Sequence, residues 1–523
     1  MVQTCERKKD FKKGIDTGDS RRRRGETTVS LRKAKKEEGL AKRRNVRVNN
    51  FVSEDPQPQG GGNSKKTYTI SDIPALRTGI QSSDLAVLIE STRGFRRLLS
   101  VETNPPVQDV LAAGVLDTLI SLLGRTDSSE LQFEAAWALT NIASTEHTAV
   151  VVEHGAVPGL VALLTHAKGD LREQSAWCLG NIAGDCTEFR DMILQAGGLN
   201  PLLMNIAQPE SLTLLRNVTW ALSNFCRGKP QPDLETVRPA IPALASLLTH
   251  TDQETVVDAC WALSYLSDGE DDRIQACVDG GVVPHLVNLL SNPSSQVITP
   301  ALRTLGNIVT GNDVQTQSVI DAGILAVSPA LLSNAKKTIR KEACWMLSNI
   351  AAGTAPQISA LLAAPNVIGH AIGQLAQGEW DVRKEACWVV SNVATGGTWE
   401  HARVLVDQGC LEPICDLLGV SDSKIILVAL DALEALLRKA DAHDQAVEWV
   451  TLVDEADGIE KIEALQEHEH EEVYEKAVAV LEEFFAAEDE EEDENLAPNA
   501  AAGDGGFQFG VAPPAGGQLS FAF

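Results

Sequence analysis

The residues best suited to chemistry in this chain are tryptophans and asparagines that stand four positions apart. An indole face attracts the cationic end of Lys or Arg by about 0.5–2 kcal/mol, and parallel rings leave room for the methylene stems. A carboxamide has two donor hydrogens and an acceptor oxygen, so it can pair with the N–H and C=O of one residue in an extended peptide. The pair occurs five times, as Trp137/Asn141, Trp177/Asn181, Trp220/Asn224, Trp345/Asn349 and Trp388/Asn392. Two degenerate copies, Trp261/Tyr265 and Arg303/Asn307, lie between the third and the fourth. This combination favours recognition of a basic peptide.

These positions, called the ladder below, recur with the period of a helical repeat protein. Successive first members, from Trp137 to Trp388, are 40, 43, 41, 42, 42 and 43 residues apart. A period of roughly 40–47 residues in a helical sequence is typical of HEAT and armadillo solenoids. The sequence therefore predicts a stack of similar helical units.

A helical wheel places the two members of each ladder pair on one face. At 100° per residue, Asn141 lies 40° from Trp137, whereas Ala135, Leu139 and Ile142 lie 140–200° away. The apolar stripe must be buried, so we expect the Trp and Asn side chains to form parallel rows on an exposed surface. The alternative is that the tryptophans are core residues, which is common for a single Trp in an apolar helix.

Length and composition agree with a long array of helices. A chain of 523 residues is longer than one ordinary core requires. It has no run of 18 apolar residues and does not open with an apolar segment, so we expect neither a membrane span nor a secreted protein. The ten cysteines lack metal-site spacing. Four of them adjoin a ladder Trp and are predicted to be reduced core residues of a cytosolic or nuclear protein: Cys178, Cys260, Cys344 and Cys387.

The charge is unevenly distributed along the chain. The net charge is −27, but residues 1–50 hold 17 Lys and Arg against 7 Asp and Glu, a net of +10. The rest of the chain therefore carries −37. An acidic body suggests a cationic partner, and a basic arm on the same chain could imitate that partner.

Composition divides the chain into four parts. These are a basic arm (1–48), a Pro/Gly-rich flexible linker (49–69), the helical repeats (70–487) and a disordered acidic tail with Phe/Gly motifs (488–523). Within the repeats, Gly155, Gly281 and Gly323 are predicted to end one helix and open the next. The stretch from Glu471 to Ala487 is predicted to be a terminal capping helix.

Two motifs carry a family resemblance that covers nearly the whole chain. The stretch RRRRGETTVSLRKAKKEEGLAKRRNV, which begins at Arg21, resembles the importin-β-binding segment of the importin-α family. The W-x-[LV]-[TSG]-N array resembles the armadillo core of the same family, and the final GFQFG stretch is similar to plant and algal members. The resemblance implies an all-α, right-handed armadillo solenoid of about ten repeats with a disordered basic arm and an acidic tail.

The resemblance also implies a function. A member of this family is a nuclear import adaptor that binds Lys/Arg-rich nuclear localisation signals of cargo proteins and links them to importin-β. It shuttles between cytoplasm and nucleus through the nuclear pore, returns with a dedicated exportin and Ran-GTP, and contacts nucleoporins. The resemblance implies no enzymatic activity, no cofactor, no metal, no direct nucleic-acid binding and no membrane.

Site residues follow from matching positions to the family's motifs. The larger signal-binding site would use Trp137, Asn141, Thr148, Gln174, Trp177, Asn181, Asp185, Asn217, Trp220, Asn224 and Asp258. The smaller site would use Tyr265, Asp268, Arg303, Asn307, Glu342, Trp345, Asn349, Glu385, Trp388 and Asn392. The importin-β-binding and autoinhibitory arm would use Arg21, Arg22, Arg23, Arg24, Arg32, Lys33, Lys42, Arg43 and Arg44.

Arg303 interrupts the tryptophan row and is expected to divide it into two binding stretches. The family suggests Asp268 as the acid that pairs with it. The alternative is that this repeat has simply diverged.

Three other classes of protein fit the sequence less well than this function. An armadillo scaffold of the catenin type should favour acidic ligands, which the charge of −37 outside the arm disfavours. A nucleic-acid binder using Arg21–Arg24 would have an acidic body that repels phosphate. An enzyme is disfavoured because the sequence contains no nucleophile elbow, HExxH or phosphate loop.

Overall fold

The computed structural model describes residues 67–101 and 104–485, and it is helical throughout, with no strand in those ranges. The sequence predictions for the basic arm, most of the linker and the acidic tail lie outside the described residues. The chain divides into two compact units between Pro413 and Ile414. The predicted all-α class is confirmed for the described ranges.

The helices of the first unit follow a regular order in which two short helices precede one long helix. In chain order they are α1 (Ile73–Gly79), α2 (Leu85–Leu99), α3 (Val107–Ala112), α4 (Leu116–Leu122), α5 (Ser129–Ala143), α6 (Thr148–Glu153), α7 (Ala156–Leu163), α8 (Gly169–Asp185), α9 (Thr187–Gln195), α10 (Leu199–Ala207), α11 (Leu212–Cys226), α12 (Leu234–Val237), α13 (Ala240–Leu247), α14 (Gln253–Leu266), α15 (Asp271–Asp279), α16 (Val282–Leu289), α17 (Ser295–Ile308), α18 (Asp313–Asp321), α19 (Ile324–Leu332), α20 (Lys337–Ala351), α21 (Ala355–Ala363), α22 (Val367–Gln377), α23 (Trp380–Gly396) and α24 (Trp399–Asp407). The long helices are α2, α5, α8, α11, α14, α17, α20 and α23.

The second unit continues with long and short helices. Helix α25 (Leu411–Cys415) spans the division, and α26 (Ser423–Asp441), α27 (Ala446–Glu455), α28 (Gly458–Ala464) and α29 (Glu471–Phe484) follow. Short 3₁₀ turns occupy Ile70–Asp72 and Leu465–Glu467. Of the helices described, none alone has the length and apolar character of a membrane span; α21 and α22 meet those criteria only as a pair bent by 84°.

Polar caps and glycines set the helix boundaries. Ser128, Ser211 and Asp252 accept backbone N–H groups in the first turns of α5, α11 and α14, which satisfies donors that the helix leaves unpaired. Gly155 and Gly281, which precede α7 and α16, have φ values of 83° and 71°. An L side chain is strained in this left-handed region. The predicted boundaries at these glycines, and the one at Gly323 with φ 89°, are confirmed.

The core lies where the helical wheel placed it. Ala135, Leu139 and Ile142 of α5 are fully buried, and the same holds for the equivalent residues of α8 and α11, namely Ala176, Leu179, Ile182, Val218, Leu222 and Phe225. The cysteines support the same conclusion: nine free cysteines are described, and all except the half-buried Cys186 are buried. Burial raises the pKa of the Cys178 thiol to about 12, so this group is protonated in the fold. The prediction of reduced core cysteines is confirmed for the four residues that it named, Cys178, Cys260, Cys344 and Cys387.

The ladder ends within α26, where Asp431 and Ala435 replace Trp and Asn. Lys476 of α29 forms ion pairs with Asp431 (2.7 Å) and Glu434 (2.5 Å). An acidic surface at this position is therefore neutralised within the second unit.

Candidate functional site

The ladder residues all lie on seven long helices of the first unit that follow one another in the repeat order. Asn141, Asn181 and Asn224 occupy the last two turns of α5, α8 and α11, and Asn307, Asn349 and Asn392 do so in α17, α20 and α23. The long helices pack against one another in sequence, α5 on α8, α8 on α11, and so on to α20 on α23. Side chains at equivalent positions are thereby presented in a row.

The asparagine amides are tied to the preceding repeat. In four helices the asparagine Nδ2 group donates to a backbone carbonyl of the previous repeat. The carbonyl belongs to the residue just before the second ladder position of that repeat. These bonds are Asn181 to Thr140 (3.3 Å), Asn224 to Gly180 (3.0 Å), Asn307 to Ser264 (2.9 Å) and Asn392 to Ser348 (2.7 Å). One hydrogen of each amide thus fixes its orientation, and the same geometry recurs along the row.

Asn141 and Asn349 anchor differently. The Nδ2 of Asn141 donates to Ser100 Oγ (3.0 Å), and that of Asn349 donates to the Trp345 carbonyl of its own helix (3.1 Å). The Oδ1 atoms of both residues are buried and have no hydrogen-bond partner. A buried acceptor without a partner is rare in folded proteins and calls for an explanation.

The indoles pack on small residues of the preceding repeat. A Cβ added to Gly180 would lie 2.4 Å from Cζ3 of Trp220, and one added to Gly306 would lie 2.2 Å from Cζ3 of Trp345. The six-membered ring therefore lies directly against the backbone of the previous long helix. Every ladder helix has Gly, Ser or Thr at this position, three residues after its first ladder residue.

The expectation of an exposed row is wrong for most of the ladder in the full-length chain. Trp220 is 0% exposed and Trp137 8%, and the ladder asparagines are all buried. Trp177 and Trp261 are half-buried. The physical reason is that ladder residues such as Trp220 and Asn224 pack or bond against the preceding repeat, which a wheel for one isolated helix does not include.

Three of the polar residues assigned to the larger site also bond within the solenoid. Gln174 Nε2 donates to Thr140 Oγ1 (2.6 Å), and Asn217 Nδ2 donates to Glu173 (3.2 Å). Thr148 donates to the backbone at the end of α5 (2.9 Å). Burial raises the pKa of Glu173, and its hydrogen bonds only partly oppose that shift.

The acidic members of the site differ in exposure. Asp185, at the end of α8, is exposed, and Glu385 on α23 is half-buried. Asp258 on α14 and Glu342 on α20 are buried. Across residues 67–101 and 104–485, no group of three or more His, Cys, Asp and Glu side chains could hold a metal ion.

Arg303 forms a bidentate ion pair with Glu342 of the next repeat. Its Nε and Nη2 lie 3.2 and 3.1 Å from the two carboxylate oxygens. Asp268, which the family suggested for this role, lies 3.7 Å from Lys229 instead. Glu342 is the better placed acid because it lies on the long helix that packs against that of Arg303.

The sequence argument missed a charged cluster beside Trp137. Arg96 on α2 places its guanidinium carbon 4.2 Å from the centroid of the Trp137 ring and binds Glu134 (2.8 Å). The ring of Phe133 meets Trp137 edge-on at 5.5 Å. The repeat period would have found Arg96, because it stands 41 residues before Trp137, at the ladder position of α2.

Comparison with known proteins accounts for this arrangement. Residues 7–93 match the importin beta binding domain. Six successive segments match the armadillo/beta-catenin-like repeat (103–144, 144–184, 186–227, 230–268, 270–310 and 312–352), and residues 448–499 match the atypical Arm repeat. Importin subunit alpha-2 of Arabidopsis thaliana is 46% identical over 530 residues, covering 98% of each chain. The chain belongs to the importin-α family.

Other relatives and a solved structure extend the match. Importin subunit alpha-1b of Oryza sativa is 46% identical over 85% of this importin-α and 84% of its own length, and importin subunit alpha-B of Dictyostelium discoideum is 43% identical over 95% and 96%. The crystal structure of an engineered protein is 31% identical and covers 80% of this chain and 99% of its own, with a TM-score of 0.72. The predicted armadillo-repeat solenoid is confirmed.

The family and the domain matches also establish the general function. This importin-α is a nuclear import adaptor that binds importin-β, as the sequence motifs predicted. The catenin-type alternative is not favoured. The importin-α solenoid is a non-enzymatic adaptor, and the family shuttles between cytoplasm and nucleus.

Proposed function

We propose that the ladder binds the Lys/Arg-rich localisation signals of cargo proteins in two rows. The first row consists of the pairs Trp137/Asn141, Trp177/Asn181 and Trp220/Asn224, and the second of Trp345/Asn349 and Trp388/Asn392. In each row, the asparagines hold the backbone of an extended peptide and the indoles flank its cationic side chains.

The observation that carries this proposal is the orientation of the asparagine amides. Asn141 and Asn349 each use one N–H to bond within the solenoid, which gives the second N–H and the acceptor oxygen of each amide a fixed direction. The buried Oδ1 atoms of Asn141 and Asn349 have no hydrogen-bond partner, and an incoming peptide N–H would supply one. Because the amides are already oriented, binding costs little side-chain entropy.

The geometry suits short basic clusters. Neighbouring helices lie roughly 8–10 Å apart, whereas an extended peptide advances about 3.3 Å per residue. Each repeat therefore meets a new peptide residue every two or three positions. Exposed or half-buried acids near the rows, such as Asp185 and Glu385, favour the ammonium and guanidinium groups.

Arg303 divides the two rows. The ion pair with Glu342 holds its guanidinium between the first and the second row. This cation repels the cationic side chains of cargo there. A signal with two basic clusters would place one in each row.

The test replaces Asn141 by Ala and measures the affinity of a fluorescein-labelled Lys/Arg peptide by anisotropy, with full-length protein and saturating importin-β. Loss of the amide should weaken binding about tenfold, the value of one or two hydrogen bonds in a desolvated site. Asn205→Ala is the matched control, because Asn205 on α10 bonds to Arg172 and to two carbonyls within the fold. Equal affinity in Asn141→Ala and Asn205→Ala would count against the proposed site.

We also propose that the arm (1–48) inhibits the site in the absence of importin-β. Lys42, Arg43 and Arg44 are tethered to the solenoid, so their effective concentration at the rows is on the order of mM.

Removal of residues 1–48 tests the inhibition directly. The shortened chain should bind the labelled peptide more tightly without importin-β, and acrylamide should quench its tryptophan fluorescence more strongly. Unchanged affinity together with unchanged quenching would refute autoinhibition by the arm while leaving cargo binding in place.

Family membership supports three further roles. We propose that the chain passes the nuclear pore, contacts nucleoporins and returns with a dedicated exportin and Ran-GTP. A pull-down of the full-length chain with the exportin, with and without Ran-GTP, tests the proposed return with the exportin. Equal binding in the presence and absence of Ran-GTP would contradict it.

A further inference from the structure

Helix α2 carries a ladder pair of its own. Arg96 and Ser100 stand 41 residues before Trp137 and Asn141, where the repeat pattern places Trp and Asn. Asn141 Nδ2 donates to Ser100 Oγ (3.0 Å), and four of the later asparagines likewise bond to the preceding repeat. The space between α2 and α5 is therefore equivalent to the spaces between successive tryptophans farther along the solenoid.

In this space Arg96 makes the contacts that a ligand arginine would make in a recognition slot. It is 2% exposed, and its guanidinium carbon lies 4.2 Å from the Trp137 ring centroid. Its Nε donates to Glu134 (2.8 Å) and its Nη2 to the other oxygen (3.4 Å). Cation–π attraction and a charge-assisted fork are thus both supplied from within the chain.

The same arrangement recurs at the start of the second row. Arg303 binds Glu342 through two bonds, and Glu342 stands three residues before Trp345, as Glu134 does before Trp137. An acid also stands three residues before Trp261 and Trp388, as Asp258 and Glu385, but there the preceding ladder residue is a Trp. An intrinsic Arg therefore accompanies this acid only where a row begins.

We propose that Arg96 is a built-in occupant of the first cation slot, and that it sets the end of the first row. By filling the slot between α2 and α5 it excludes a Lys or Arg side chain of cargo and fixes where a basic cluster can begin. The inference rests on the proposed cargo site. A slot without Arg96 would take a ligand cation between Trp137 and Glu134.

Neighbouring contacts make the substitution testable in a folded protein. Arg93 also binds Glu134 through its Nε (2.9 Å), and its Nη1 binds Glu90 (2.9 Å). Glu134 therefore keeps a cationic partner when Arg96 is removed. Arg93→Ala is the matched control, because it removes the other guanidinium from Glu134 and leaves Arg96 over the Trp137 ring.

The experiment compares a core Lys/Arg peptide with versions that carry one additional Lys at either end, using the full-length chain and saturating importin-β. In the unmodified protein and in Arg93→Ala, the additional Lys should change Kd by less than about twofold. In Arg96→Ala, the additional Lys at one end should tighten binding about five- to tenfold. The absence of that gain in Arg96→Ala would overturn the inference.

A second measurement does not depend on peptide binding. Millimolar methylguanidinium chloride, compared with sodium chloride, should raise the thermal unfolding midpoint of Arg96→Ala. It should have no such effect on the unmodified protein or on the double variant Arg96→Ala/Glu134→Gln. Stabilisation of all three proteins alike would show that the slot is not specific. If the unmodified protein does not bind the core peptide at all, the proposed cargo site is refuted. A rise in the unfolding midpoint of Arg96→Ala with methylguanidinium would still support the slot in that case.

Discussion

Substitution of Gly180 by Ala should disturb the site through one atom. Gly180 lies on α8, and an added Cβ would sit 2.4, 2.9 and 3.1 Å from three ring carbons of Trp220. Carbon atoms in folded proteins rarely approach this closely, so the ring must move by about 1 Å to restore van der Waals contact. Trp220 is 0% exposed and cannot escape into solvent.

The expected magnitude is a difference between two opposing effects. Overpacking a filled core costs about 1–3 kcal/mol, and replacing Gly by Ala inside a helix stabilises it by about 1 kcal/mol. Gly180→Ala should therefore lower the free energy of unfolding by about 0–2 kcal/mol. Gly373→Ala on α22 is the matched control, because a Cβ there meets no atom within 4 Å. It should raise stability by about 1 kcal/mol.

Urea unfolding, monitored by circular dichroism, gives the free energy of unfolding of both variants. Because repeat arrays unfold in parts, hydrogen exchange of the α11 amides then shows where along the chain the stability has changed. Gly306→Ala, where the Cβ would lie 2.2 Å from Trp345, should behave as Gly180→Ala does. In both glycine variants the displaced indole should also weaken peptide binding. If Gly180→Ala stabilises the protein as much as Gly373→Ala, the packing described for Trp220 is incorrect.

Three further predictions concern titratable groups. The Arg216 guanidinium, 2.5 Å from Asp252, is the largest of the causes that lower the pKa of that carboxyl to about 2. The resulting stabilisation, roughly 2 kcal/mol, is present above the ordinary Asp pKa of about 4 and is lost as the pH falls through about 2. Acid unfolding of Asp252→Asn should be correspondingly less steep, and an unchanged slope would contradict the assignment. Burial lowers the pKa of His401, whose Nδ1 accepts the backbone N–H at the start of α24, so stability should fall as the pH drops below about 6.5. His401→Gln should remove that part of the pH dependence, because Gln357 makes the equivalent bond at the start of α21; equal midpoints across the range for both proteins would refute it. Burial raises the pKa of the Cys178 thiol to about 12, so this thiol should resist a thiol reagent in native protein and react after unfolding. Its labelling is measured as the difference in the number of reacted thiols between the unmodified protein and Cys178→Ser.

Much of the proposed site was accessible from the sequence because its signals are local. The spacing of Trp137 and Asn141 depends only on helical geometry, and the wheel correctly assigned Ala135, Leu139 and Ile142 to the core. Counting by the repeat period would also have reached Arg96. The period shows which residues are equivalent, but it does not show which of them touch.

The contacts between repeats were beyond that reasoning. Arg303 was expected beside Asp268 and instead binds Glu342, since the acid that it reaches depends on how two long helices are stacked. The burial of Trp220 has the same origin, because it depends on the absence of a side chain at Gly180 of the previous repeat.

The amino-acid sequence by itself determined the helical repeat, its apolar stripe, the face shared by Trp and Asn, and the importin-α family. These properties follow from side-chain chemistry and from a periodicity of 3.6 residues within single helices. Only the tertiary structure decided that five of the six ladder asparagines are held by the preceding repeat and that Arg96 covers Trp137. Such contacts join residues about 40 positions apart, and their distances depend on the packing of whole helices against one another, which no single helix encodes.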